Sequence, residues 1–200
     1  MNISPISEEY EGAIAILRFC RPTERNPLSI ATLDTLEQGL ERIRNQPSIK
    51  VIILTGTEDV FLSGAHIREL TTLDPQTAKA FSEKGQAITN AIATNHATTI
   101  AAINGYCMGG GLDFALACHI RIASTTAVFA HPGAKLGIIT GWGGTQRLPR
   151  IVGRTLALEM FSTARRISSA EALKAGLITQ IADPVLDAAT VLAKQIISTS

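Results

Sequence analysis

Apolar residues in this chain fall into a few dense runs, separated by stretches whose apolar positions recur at helical spacing. Three runs are short and rich in β-branched residues, which predicts buried strands at 13–19, 49–56 and 98–105. The run 49–56 (IKVIILTG) is continuously apolar, so its strand is expected to be covered on both faces. Two further short strands are predicted in IRIAS (120–124) and AVFA (127–130).

Between the strands, apolar positions every three or four residues predict amphipathic helices. The stripe from Ile30 to Ile43 follows Ser29 and predicts a helix that ends near residues 45–47. Further helices are predicted at about 76–94, in LDFALACH, and over most of the chain beyond 149, where Ser168–Glu171 has a capping-box pattern. Strands alternating with helices favour parallel βαβ pairing, so we expect an α/β fold with ligands at the carboxyl ends of strands.

Length and charge narrow the class of protein. Two hundred residues suit one domain, and a net charge of +1, from 18 basic and 17 acidic residues, argues against nucleic acid or an anionic membrane as partner. No secretory signal pattern is visible, no run of about 18 apolar residues is present, and the three cysteines lack metal-site spacing. We therefore expect a cytoplasmic protein with no metal site and no membrane contact.

The segment NGYCMGGGLDF (104–114) follows a predicted strand and runs into a predicted helix. It satisfies neither the G-x-G-x-x-G nor the P-loop spacing, which argues against nucleotide phosphates. Two interpretations stay open: close packing of the backbone, or a helix N-terminus whose free amides face a ligand. VFLSGAHIREL (60–70) is a second connection of small residues, so two amides could converge on one oxygen atom.

Five motifs together resemble the enoyl-CoA hydratase/isomerase (crotonase) superfamily, over roughly residues 10–183. They are RPTERNPLS, VIILTGTEDVFLSGAHIREL, TTIAAINGYCMGGGLDFALACHIRIA, LGIITGWGGTQRLPRIVG and ARRISSAEALKAGLITQI. The resemblance implies one α/β domain over residues 1–200. Its core would be a crotonase-like spiral of ββα units (about 10–150), followed by a helical C-terminal region (about 151–200) that is shorter than in a typical member. It also implies a homo-oligomer, a trimer or a hexamer.

The same resemblance implies an enzyme that binds an acyl-CoA thioester and stabilises its enolate. The two oxyanion amides fall on Ala65 and Gly110. Water addition to a 2-enoyl-CoA, an activity of fatty acid metabolism, is the leading expectation. The alternatives are an isomerase, another lyase or synthase of the family, and a non-catalytic acyl-CoA-binding paralogue. Contacts to coenzyme A are expected from Arg25, Ser63, Gly64, Ala65, His66, Ile67, Gly109 and Gly110.

The acid/base positions depart from the hydratase pattern. The first catalytic glutamate falls on Asp113, and the second falls on Gly133, which has no side chain. Asp113 also fits a purely structural role, since aspartate is favoured in the first turn of a helix. His131, two residues before Gly133, is a further candidate proton carrier. A glycine at this position also occurs in the naphthoate-synthase branch, which suggests bicarbonate as an external base; no other cofactor is expected. Trp142 is interpreted as a core or interface anchor.

Overall fold

A computed structural model describes residues 4–199 of the chain, and all helices and strands below lie in that range. The strands are β1 (Ile6–Glu11), β2 (Ile14–Phe19), β3 (Pro27–Leu28), β4 (Val51–Thr55), β5 (Val60–Leu62), β6 (Gly64–Ala65), β7 (Thr98–Ile103), β8 (Tyr106–Met108), β9 (Ile120–Ala123), β10 (Val128–Ala130), β11 (Ile167–Ser168) and β12 (Gln180–Ile181). The helices are α1 (Ile30–Arg44), α2 (Ile67–Leu70), α3 (Pro75–Ala93), α4 (Gly110–Ala117), α5 (Gly144–Val152), α6 (Arg154–Thr163), α7 (Ser169–Lys174) and α8 (Val185–Ser198). The predicted α/β class is confirmed.

A six-stranded sheet in the order β1-β2-β4-β7-β9-β12 forms the centre of the fold. Every pairing in it is parallel except that of β1 with β2. All five residues of β4 are buried, as its continuous apolar run predicts. Ile52 and Leu54 face the main core, whereas Val51 and Ile53 belong to a second apolar cluster that α8 covers.

A smaller sheet in the order β11-β10-β8-β5 and a two-stranded pair β3-β6 lie beside the central sheet. The sequence predicted β10 from its apolar AVFA run but not β5, β6 or β8, which lie in the glycine-containing segments 60–70 and 104–114 that were interpreted as connections. These short strands matter for the site. They place the segments before α2 and α4 next to each other.

Helices α1 and α7 begin after the predicted N-cap residues. Two details differ from the expectation, the burial of Ile30 and the role of Glu171. α1 begins after Ser29, whose side chain accepts a hydrogen bond from the amide of Thr32 at 3.2 Å, but Ile30 of the predicted apolar stripe is 45% exposed. Ser168 caps α7 as expected. The reciprocal half of that capping box is wrong, because the carboxylate of Glu171 instead pairs with Arg165 at 2.6 Å.

Candidate active site

Two strand-to-helix connections meet at one point of the fold, and both were singled out in the sequence. Gly64 on β6 has φ +99°, a conformation that favours glycine. A Cβ atom on Gly64 would lie 2.9 Å from the carbonyl oxygen of Met108 and 3.3 Å from the amide nitrogen of Gly110. The chain before α2 and the chain before α4 therefore lie in backbone contact, which brings Ala65 and Gly110 together as predicted.

Each glycine of the 109–111 run has its own structural reason. Gly109 has φ +54°, and its amide donates a hydrogen bond to the carbonyl of Ala130 at 2.9 Å. Gly110 is the first residue of α4, so its N–H has no acceptor within the helix. A Cβ on Gly111 would lie 2.5 Å from that of Leu62. Close packing thus applies to Gly111 and to Gly110, where a Cβ would meet Trp142, and Gly110 also begins a helix; that its amide faces a ligand stays a prediction.

Asn26 holds the first of these connections in place, and the sequence analysis missed it. The residue is buried and has φ +48°, in the left-handed region that asparagine tolerates better than most residues. Its side chain accepts a hydrogen bond from the Arg21 amide at 2.7 Å and donates one to the Val60 carbonyl at 2.9 Å. The adjoining strand β3 then pairs with β6 at Ala65. An asparagine within a proline-containing loop was the available signal.

A cavity of about 370 Å³ opens beside the two connections. Its volume and its apolar walls with few polar groups are typical of a small-molecule site. Six of the residues expected to bind coenzyme A lie in its wall: Ser63, Gly64, Ala65, Ile67, Gly109 and Gly110. The lining also includes Leu70 on α2, Phe81 on α3, Leu73 between these helices, and residues 131–134 and 138–142.

Arg25 and His66 do not line this cavity. Arg25 is exposed, with its guanidinium 4.7 Å from the centre of the Tyr106 ring. His66 precedes α2 and places Nδ1 3.8 Å from a carboxylate oxygen of Glu69. Their expected contacts with coenzyme A would therefore lie outside the cavity.

Trp142 forms part of the cavity wall although it is only 3% exposed, and the sequence analysis left it out of the site. Its ring lies 5.1 Å from that of Phe81 and 5.6 Å from that of Phe114. A Cβ on Gly110 would lie 2.4 Å from the indole, so the ring covers the first turn of α4. The anchor interpretation is compatible with its burial, but the residue also shapes the site.

Asp113 lies on α4 behind the cavity wall rather than in it. Its side chain is fully buried, and Thr140 donates a hydrogen bond to Oδ2. Oδ1 lies against the backbone at the start of α5 without forming a hydrogen bond of good geometry. Burial raises the pKa of Asp113 to about 6, against the opposing effects of the Thr140 hydroxyl and of the nearby amides of Trp142 and Gly144.

His131 stands between Asp113 and the cavity. Its Nε2 lies 3.5 Å from Oδ1 of Asp113, and its ring is 4.7 Å from the ring of Phe161. The side chain is 3% exposed, and neither ring nitrogen has a protein hydrogen-bond partner. Burial lowers the pKa of His131 to about 4, so the imidazole is neutral at pH 7.

Gly133 follows in the 3-10 turn Pro132–Leu136, and the space beside it is filled. A Cβ there would lie 2.5 Å from the carbonyl oxygen of Ile138. The direction in which a second carboxylate would project is therefore occupied by backbone. The bicarbonate expectation stays a prediction.

Comparison with known proteins identifies one family by both a family model and individual sequence relatives. The family model for enoyl-CoA hydratase/isomerase matches residues 9–200. A short-chain-enoyl-CoA hydratase of Clostridium acetobutylicum is 35% identical, the match covering 99% of this chain and 77% of that protein. A crotonyl-CoA hydratase of Syntrophomonas wolfei is 36% identical over 88% of this chain and 68% of its own length.

Solved structures agree with the sequence relatives. The crystal structure of an enoyl-CoA hydratase from Bacillus anthracis superposes with a TM-score of 0.93 at 33% identity, covering 97% of this chain and 77% of that one. Within residues 4–199, no helix has the length and apolar character needed to cross a bilayer.

Proposed function

The chain belongs to the enoyl-CoA hydratase/isomerase family, and from that premise we propose that it adds water to the double bond of a 2-enoyl-CoA. The observation that carries the proposal is the contact between the Gly64–Ala65 and Gly109–Gly110 segments in the wall of one cavity. The names of the two hydratases from Clostridium acetobutylicum and Syntrophomonas wolfei support hydration over the other reactions of the family.

In the proposed reaction, the thioester carbonyl oxygen lies between the amides of Ala65 and Gly110. Water attacks the β-carbon, and the electrons of the double bond move towards that oxygen as the enolate forms. The two amides stabilise the negative charge, the type of interaction typically worth about 10²–10³ in rate per donor. Protonation of the α-carbon then completes the addition. The buried pair of Asp113 and His131 lies beside this cavity, with His131 in its wall.

A non-catalytic acyl-CoA-binding role is the second candidate, and one observation favours it. The carboxyl of Asp113 is fully buried, and the second expected carboxylate is replaced by Gly133, where the Ile138 carbonyl fills the space. This alternative predicts acyl-CoA binding without turnover.

Two substitutions at Gly110 test the oxyanion role. Alanine and proline both add a Cβ that meets Trp142, but only proline removes the N–H. Proline is tolerated in the first helical turn, and since both variants overpack against Trp142, their rates are compared once circular dichroism shows that each is folded. With crotonyl-CoA, followed by loss of enoyl-thioester absorbance, we expect Gly110→Pro to be about 10²–10³ slower in kcat than Gly110→Ala. Equal rates in the two variants would remove Gly110 from the oxyanion role. No turnover by the wild type, together with tight binding, would favour the binding protein.

A further inference from the structure

Among residues 4–199, the cavity wall contains a single titratable side chain, that of His131. Its other polar side chains are the indole of Trp142 and the hydroxyls of Ser63, Ser82 and Thr140, none of which exchanges a proton readily near neutral pH. Water addition needs a group that takes a proton from water and a group that gives one to carbon. In the described part of the chain, His131 is the one side chain of the cavity wall that can do both.

The carboxyl of Asp113 is held away from the cavity by its own contacts. It is 0% exposed, Thr140 binds Oδ2, and Oδ1 lies so close to Gly144 that a Cβ on that glycine would be 2.0 Å away. Gly144 begins α5, and a carboxylate at a helix N-terminus is stabilised by the helix dipole. These contacts account for the orientation of the carboxyl, and any proton it exchanges with a ligand must pass through a neighbour.

Two neighbours of the carboxyl line the cavity, Thr140 and His131, and of these two the imidazole of His131 is the titratable group. Buried polar atoms almost always have hydrogen-bond partners, yet both ring nitrogens of His131 are buried without one in the protein. Nε2 faces Asp113 at 3.5 Å, and the ring packs on Phe161. His131 also lines the cavity, so a ligand or water that reaches the ring there would supply the missing partner.

We propose that His131 is the proton carrier of the hydration reaction and that Asp113, in contact with it, positions the ring and stabilises its protonated form. The proposal rests on the proposed hydratase function. In this proposal His131, which lines the cavity, carries out the proton transfer for which Gly133 has no side chain.

One carrier balances the reaction. His131 accepts a proton from water as the oxygen bonds to the β-carbon and the double-bond electrons form the enolate. The resulting imidazolium lies beside the Asp113 carboxylate. It then returns the proton to the α-carbon as the enolate electrons form the new C–H bond. The thioester carbonyl is restored, the imidazole is neutral again, and one water molecule has been added.

The test compares His131→Gln and Asp113→Asn with the wild type in crotonyl-CoA hydration. Calorimetric binding of butyryl-CoA, which has no double bond to hydrate, reports whether each variant still folds and binds. We expect His131→Gln to lower kcat by about 10²–10⁴ while the Kd for butyryl-CoA changes less than threefold. Asp113→Asn should lower kcat by a smaller factor, since its carboxylate acts through the ring.

Chemical rescue separates catalysis from packing. For His131→Gly, added imidazole should restore activity, whereas pyrazole, which has the same five-membered shape but is a much weaker base, should not. Equal rescue by both compounds would assign His131 a packing role and overturn the proposal.

Three further outcomes are decisive. If His131→Gln matches the active wild type, His131 is not the carrier, although the hydratase function stands. If Asp113→Asn abolishes turnover and His131→Gln retains it, Asp113 is the carrier and the proposal is wrong. If the wild type hydrates no 2-enoyl-CoA, the hydratase function itself fails, and the role of His131 fails with it.

Discussion

Asp113 and His131 lie 3.5 Å apart in a buried environment, and burial moves their pKa values in opposite directions. The pKa of Asp113 rises from 3.8 to about 6, and that of His131 falls from 6.5 to about 4. Both shifts have the same cause, because burial disfavours the charged form of either group. Each shift makes the stability of the fold depend on pH, and the two dependences have opposite signs.

The signs follow from proton counts. Between about pH 4 and 6, Asp113 holds a proton when folded but not when unfolded, so its contribution to stability is lost as pH rises. Over about pH 4 to 6.5, His131 is neutral when folded and protonated when unfolded, so its contribution grows as pH rises. In the wild type the two effects largely cancel.

Single substitutions should expose each effect. Relative to the wild type, Asp113→Asn should gain about 3 kcal/mol in unfolding free energy between pH 4 and 7, and His131→Gln should lose a similar amount. Urea denaturation at several pH values measures both differences. Parallel stability curves for the three proteins would show that neither group has a strongly shifted pKa.

Small residues marked the two connections in the sequence, and the assignment of Ala65 and Gly110 within them came from the family resemblance. Sequence reasoning also named Asp113 and His131 as candidates, but not their arrangement. That arrangement depends on Thr140 and α5, which are distant in sequence from Asp113. The residues next to Asp113 in the sequence do not indicate that its carboxyl packs against α5, so this contact could not be predicted.

At the scale of elements, α3 and the Trp142 segment fit together through one glycine. Gly85 lies in the middle of α3, and a Cβ there would be 2.1 Å from Nε1 of Trp142. The indole N–H donates a hydrogen bond to the carbonyl of Phe81 at 3.3 Å, and Thr89 donates one to the carbonyl of Trp142 at 3.1 Å. A mid-helix glycine, unfavourable for the helix itself, therefore makes room for the cavity wall.

Gly85→Ala should lower the unfolding free energy by about 1–3 kcal/mol, because the added methyl overpacks against Trp142. Gly39→Ala, in the middle of α1, is the matched control. A Cβ there meets mainly the flexible end of Glu8 at 3.1 Å, and alanine favours the helix by up to about 1 kcal/mol. Thermal melts of both variants give the comparison. A Gly85→Ala protein as stable as Gly39→Ala would contradict this packing.

Which elements could be predicted depended on their length and pattern. The long buried strands β2, β4 and β7 and the helices α1 and α3 carry clear periodicity and were found. β1 was missed because its ISEEYE sequence is polar, as suits an edge strand that pairs on one side only. The strands of two or three residues are set by tertiary contacts, such as those of Asn26 with the chain around Val60.

At the scale of the whole molecule, a homo-oligomer remains a proposal that exposed apolar side chains support. Leu158 on α6 and Val191 on α8 are 61% and 57% exposed, respectively. If a trimer forms, light scattering after gel filtration should give three times the 21.2 kDa chain mass, or six times for a hexamer. A monomer mass at micromolar concentration would contradict this proposal without affecting the site.

The fold as a whole was predictable only in part from patterns of residues. Periodicity predicted the α/β class, whereas the spiral arrangement and the expected enzyme class came from the family resemblance that the motifs carry. The structure shows how the fold forms the site. Short strands in the second sheet bring two distant glycine-containing connections into contact at one cavity.

The central claim is that this cavity adds water across an enoyl thioester, and isotope incorporation tests it most directly. Crotonyl-CoA is incubated with the wild-type protein in D₂O enriched in ¹⁸O, and the CoA esters are analysed by mass spectrometry. Hydration predicts 3-hydroxybutyryl-CoA with one ¹⁸O on the β-carbon and one deuterium fixed on the α-carbon. Unlabelled crotonyl-CoA recovered from protein that binds it would contradict the account.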